Sequence, residues 1–151
     1  MLDLPILYLS RHIHQHRAEY YRLLLQVTTT SAWEPWLLYM LTAVEETSQW
    51  TTEKIRAIKV LMDKTVAHVG TSRPKIYSRE LIEVIFTQPY CRIGDVVNAG
   101  LANRATASKY LKEFVAVGVL AERKEGRENL YINLRFLDLL TSDNNEPKPL
   151  P

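Results

Sequence analysis

The sequence predicts a mainly α chain: a helical bundle followed by a winged helix-turn-helix with a small β-hairpin. Three observations predict it. Apolar residues recur at helical spacing through most of residues 5–69. Residues 76–141 then run in the order helix, short helix, glycine turn, longer helix, hairpin. Between them lies "GTSRPK", residues 70–75, a breaker-rich stretch with no bulky apolar side chain. The organisation expected is therefore a helical segment over 1–70, a linker over 71–75, the winged domain over 76–141 and a disordered tail over 142–151.

Each element has its own justification. Residues 5–27 carry Ile6, Leu9, Ile13, Tyr20, Leu24 and Val27 near helical spacing, and Thr28-Thr29-Thr30-Ser31 is expected to break that helix. A second helix opens at "SAWEPW", with Pro35 tolerated in a first turn and a stripe of Trp33, Trp36, Leu37, Met40, Leu41 and Val44. Thr51 or Thr52 is the expected cap of a third, lined by Ile55, Ile58, Met62, Val66 and Val69 and stopped at Gly70. Ser78 caps a helix bearing Leu81, Ile85 and Phe86, closed by Pro89. Ile93, Val96 and Val97 mark a short helix, Gly100 a turn, and Ala107, Leu111, Phe114 and Val115 the buried face of a longer helix ending at Gly118. "VLAERKEGRENLYIN" reads as two strands around a polar, glycine-containing turn, and "RFLDLL" as a last short helix.

Charge locates the functional half. The chain has 151 residues and a net charge of +2, too little to name a nucleic-acid binder. Residues 1–70 are neutral, whereas 71–141 hold eleven Lys/Arg against eight Asp/Glu. A short turn sets the second helix of such a pair at a steep angle, free to enter a major groove. Its outward positions are Arg104, Ala105, Ser108, Lys109 and Lys112, with Asn103 and Thr106 at the leading end. Arg123, Lys124 and Arg127 belong to the hairpin, as a wing over a phosphate backbone would carry them. Duplex DNA is the partner this predicts. Glu113, Glu122, Glu125 and Glu128 dilute the positive face, and a protein contact or dimer surface stays open as the alternative, since fold alone does not settle function. Glu113 is also placed to pair with Lys109 across one helical turn.

Other chemistry is poorly supported. With one cysteine, Cys91, no internal disulfide forms, which suits a reducing cytoplasm; Cys91 reads as a packed residue, not a nucleophile. No apolar run approaches a membrane span. "RHIHQHR", residues 11–17, sets His12 and His16 on one helical face with Glu19, a spacing that could hold zinc. The flanking Arg11 and Arg17 oppose a cation and His-Glu-x-x-His is absent, so a solvated helix face is the expectation and no metal is assigned.

"LPILYLSRHIHQHRAEYYRLLLQV" and "SAWEPWLLYMLTAVEET" together resemble the distal helices of the Fic family, and "PKIYSRELIEVIFTQPYCRIGDVVNAG…TASKYLKEFVAVGVL" resembles the winged-helix domain at the C-terminus of many bacterial members. The resemblance covers nearly all of residues 2–141 and implies a relative of enzymes that transfer AMP from ATP to protein hydroxyls. Their signature, H-x-F-x-[D/E]-G-N-G-R, supplies a base, a magnesium ligand and a phosphate cradle. No Gly-Asn-Gly occurs here, and Met1 begins just past where the signature should end. The resemblance therefore assigns no catalytic residue and no cofactor, ATP and magnesium belonging to the missing core. It implies a non-catalytic C-terminal portion, a split subunit supporting a catalytic Fic half in trans, or a truncated gene product. The helices of residues 5–69 should then expose apolar surface, to be covered by a second copy or by that half.

Overall fold

The computed structural model describes residues 8–126 and 128–151. Within them the chain is mainly helical, with seven helices and one three-stranded antiparallel sheet. It forms two compact units, Met1–Glu53 and Lys54–Pro151. The division falls inside a helix, and the stretch 71–75 ends that helix instead.

In the first unit, α1 (Leu9–Gln15) and α2 (Arg17–Thr30) are separated by His16, whose φ of −120° and ψ of 38° interrupt the expected single helix. The start of that helix, including Ile6, lies outside the described residues. The three threonines do not break α2. Their hydroxyls donate to the carbonyls of Leu25, Leu25 and Gln26 at 2.8 Å each, so they are satisfied within the helix. The stop is Ser31, in the left-handed conformation at φ 55°.

The expected second and third helices are one. α3 (Trp33–Ser72) runs 40 residues. Thr51 and Thr52 cap nothing: their hydroxyls bond back to Thr47 O at 2.7 Å and Ser48 O at 2.8 Å. Gly70 does not stop it either, because the ladder needs no side chain and Arg73 N–H still reaches Val69 O at 2.8 Å. The apolar stripe of α3 is only partly covered, as expected of the helices of residues 5–69. Trp33, Leu37, Leu41 and Val44 are exposed, Leu41 at 65%, and with Leu25 and Leu38 they form an apolar surface on the first unit.

The second unit follows the expected order more closely. Ser78 caps α4 (Arg79–Thr87), its Oγ accepting from Leu81 N–H at 3.2 Å. A strand absent from the sequence reading follows: β1 (Tyr90–Cys91) pairs with β3, Tyr90 opposite Ile132. α5 (Ile93–Asn98) and α6 (Arg104–Ala116) flank a turn at Gly100, whose φ of 73° suits glycine. β2 (Ala121–Glu125) and β3 (Glu128–Ile132) form the hairpin, giving the order β1-β3-β2. α7 (Leu134–Thr141) closes the unit, capped by Asn133 Oδ1 on Phe136 N–H at 3.1 Å.

The core of this unit gathers Val69, Leu81, Ile82, Ile85, Cys91, Val96, Ala107, Leu111, Phe114 and Tyr131, all at most 2% exposed. It fixes α6 from beneath and leaves the opposite face of that helix to solvent. Residues 142–151, expected to be disordered, hold no helix or strand, yet they are tied down. Arg135 Nε donates to Pro149 O at 2.7 Å, Lys148 pairs with Asp138 at 2.8 Å, and Leu150 packs on the core.

Candidate nucleic-acid interface

α6 owes its direction to its buried face, since Ala107, Leu111 and Phe114 are fully buried and recur at helical spacing. The same spacing turns Arg104, Ala105, Lys109 and Lys112 outward, and all four are exposed. Among the described residues neither Lys109 nor Lys112 has an ion-pair partner. The expected Lys109–Glu113 pair does not form, because Glu113 instead accepts from Arg73 Nε at 2.8 Å. The acidic side chain that could have neutralised this helix is thus drawn away from its cationic face.

Three of the candidates have other work. The Asn103 Oδ1 accepts from Thr106 N–H at 2.9 Å, so this residue is the helix cap and has only its amide N–H groups to offer a ligand. Thr106 is half-buried. Ser108, placed outward in sequence, is half-buried too, near the Tyr131 phenol. Burial first, and then the charge of Glu122, hold the proton on that phenol. Glu122 in turn accepts from Asn129 Nδ2 at 2.6 Å and from Tyr131 Oη at 3.3 Å.

The hairpin divides its two described cations. Arg123 and Lys124 are both exposed, but successive strand residues point to opposite faces. Glu122 stands opposite Tyr131 and Lys124 opposite Asn129, so Lys124 shares the face that meets α6 and Arg123 takes the other. Arg127 lies outside the described residues.

The structure adds a residue the sequence reading passed over. Arg92 precedes α5, and its backbone N–H donates to Asp95 Oδ2 at 2.6 Å. Its guanidinium lies 3.3 Å from Glu128 Oε2 and 5.8 Å from the centre of the Tyr90 ring. Together with Ile93, Gly94, Asp95, Arg104, Glu128 and Asn129 it lines a cleft of about 220 Å³. The available signal was Asp95, three residues into a short helix, whose carboxylate caps the helix start and so leaves residue 92 at an exposed end.

Elsewhere the candidates for chemistry are structural. The Cys91 thiol, 2% exposed, is pushed up to about 12 by burial and then by Asp95, so it keeps its proton at neutral pH. The histidine run is not simply a wet face. His12 is buried, its Nδ1 3.0 Å from Glu46 Oε2, and its ring packs edge-on against Tyr39, whereas His14 and His16 are exposed. Among the described residues no group of three His, Cys, Asp or Glu side chains is arranged to hold a metal, and no helix is long and apolar enough to cross a membrane.

Residues 61–136 match the family model described as "Protein adenylyltransferase SoFic-like, C-terminal domain". The match runs from the second half of α3 into α7 and takes in the whole sheet and the α5–α6 pair.

Proposed function

The chain belongs to the family of SoFic-like protein adenylyltransferase C-terminal domains, and from that premise we propose that it is a non-catalytic, winged-helix part of such a protein that binds duplex DNA through α6. One observation carries the reading: α6 presents Arg104, Lys109 and Lys112 on an exposed face while its own Glu113 is held by Arg73. Unpaired cations on a projecting helix are what phosphate contact and counterion release require. Lys124, on the α6 side of the hairpin, extends the same face.

The acidic groups beside Gly94 are both engaged by Arg92, Asp95 at its N–H and Glu128 at its guanidinium, so they do not fit a magnesium nucleotide.

Fluorescence anisotropy with labelled duplex DNA tests the reading. Wild type should bind, with affinity falling as salt rises. Replacing Arg104 and Lys109 together by Glu should weaken binding about ten-fold or more, since two phosphate contacts become repulsions. Wild-type binding that the double variant leaves unchanged would remove α6 as the DNA-contacting helix.

A second reading rests on the apolar surface of Leu25, Leu37, Leu38 and Leu41, which a protein partner would cover. A second copy or a catalytic Fic half supplied in trans are its two candidates. Sedimentation equilibrium decides between them. A dimer that Leu41→Lys converts to monomer identifies the copy, and a wild-type monomer leaves the catalytic half.

A further inference from the structure

We infer that Arg92 is a second phosphate-binding arginine, acting beside Arg104 and held in reserve by Glu128. The inference rests on the DNA-binding reading and names a contact that reading did not include. Arg92 and Arg104 come from different elements, the lead into α5 and the start of α6, yet they line one cleft. Two arginines lining one cleft are suited to an anion, because a guanidinium offers a planar fork of donors that matches phosphate oxygens.

In the free protein the cleft neutralises itself. Its charged groups are Arg92, Arg104, Asp95 and Glu128. Asp95 is committed to the backbone N–H of Arg92 and fixes where that residue begins. Among the described residues Glu128 is the acid of the cleft that meets the guanidinium, at 3.3 Å, and it is the exchangeable one. The two side chains are 50% and 63% exposed, so the pair is a solvated one of the kind that contributes little. A phosphate carries at least as much charge as the carboxylate and arrives already held by Arg104. It can take the place of Glu128 without burying an unpaired charge.

Glu128 begins β3, so its position depends on the hairpin. Glu128 pairs with Glu125 at the turn end of that hairpin, so exchange of Arg92 from Glu128 to a DNA phosphate would release the tip of the wing when DNA arrives. A sequence-independent backbone contact follows, since the guanidinium reads charge and shape and no base edge.

The test is a salt titration of binding to labelled random-sequence duplex DNA, with wild type, Arg92→Gln, Arg92→Lys and Glu128→Gln. Gln keeps the polar stem of an exposed residue, and circular dichroism checks that each variant is folded. Arg92→Gln should lower affinity about three- to ten-fold at low salt and reduce the slope of log affinity against log salt by about 1, the loss of one phosphate contact. Arg92→Lys should restore that slope. Glu128→Gln should tighten binding several-fold by removing the competitor. A wild type that binds while Arg92→Gln matches it in slope and affinity overturns this inference and leaves the α6 reading standing. A Glu128→Gln variant no tighter than wild type overturns the reserve role. A wild type that fails to bind at low salt overturns the DNA reading, and this inference with it.

Discussion

Replacing Phe114 by alanine should destabilise the second unit by about 3–5 kcal/mol, the range for removing a buried aromatic ring. Phe114 has no exposed surface and sits in the cluster of Leu81, Ile85, Leu111, Val119 and Leu120. α4, α6 and the start of the sheet all pack there, so no single element can move inward to fill the space. Its carbonyl also accepts from Val119 N–H at 2.9 Å and Leu120 N–H at 3.2 Å, folding the chain back after α6. The ring therefore supports both the helix that presents Arg104 and the turn that leads to the hairpin. At about 2–4 °C per kcal/mol for a chain of this size, the melting point should fall by roughly 6–20 °C.

The probes separate the two units. All three tryptophans, Trp33, Trp36 and Trp50, lie in the first unit, whereas helix signal comes from both. Urea titrations of the Phe114→Ala variant should shift the midpoint seen by circular dichroism. A fluorescence midpoint that stays in place would show the units unfolding separately. One that moves in step would show that α3, which contributes residues to both, couples them. A variant with unchanged stability by both probes would contradict the packing described for α6.

Much of the second unit is legible in sequence because its punctuation is local. Ser78, Asn103 and Asn133 are cap residues three positions before the backbone N–H they satisfy, and Gly100 and Gly118 supply the positive φ of their turns. The two-residue β1 escapes because Tyr90 and Cys91 form a strand only through β3, about forty residues further along, and no periodicity exists in two residues. The first half misleads for the opposite reason. Threonines at 51–52 look like caps, but side-chain bonds to preceding carbonyls let α3 continue, whereas the stretch 28–31 does end α2, at its last residue, Ser31. Apolar spacing there identifies helices but not burial: Trp33, Leu37 and Leu41 keep a helical stripe that this chain alone does not cover, as the resemblance implied. The cationic face of α6 is readable from spacing; its freedom from Glu113 is not, because Arg73 reaches it across forty residues. Arg92 and Arg104 share a cleft for the same kind of reason, being brought together by tertiary packing alone.

Lys54→Met should cost about 3 kcal/mol, although the substitution keeps the stem and nearly the volume of the side chain. Lys54 is 6% exposed, unusual for a lysine. Its ammonium donates to the carbonyls of Leu139 at 2.7 Å, Ser142 at 2.9 Å and Asn144 at 2.9 Å. The first of these acceptors lies in the last turn of α7, where the helix dipole favours a cation. Methionine removes the charge and leaves those carbonyls without this donor. The Leu139 carbonyl is the most costly to strand, since Leu139 is 1% exposed, whereas Ser142 and Asn144 lie nearer water and can be rehydrated. The ammonium thus joins the end of α7 to the segment that follows it, and deleting residues 143–151 from both backgrounds measures how much of its contribution that segment receives. If the segment accounts for most of it, Lys54→Met should cost clearly less in the shortened chain, a coupling of about 1 kcal/mol or more between the two changes. Equal costs in both backgrounds would place the contribution in the carbonyls of Leu139 and Ser142, which the shortened chain keeps. A cost near zero in the full chain would show that the ammonium and its three carbonyls are as well served by water as by one another.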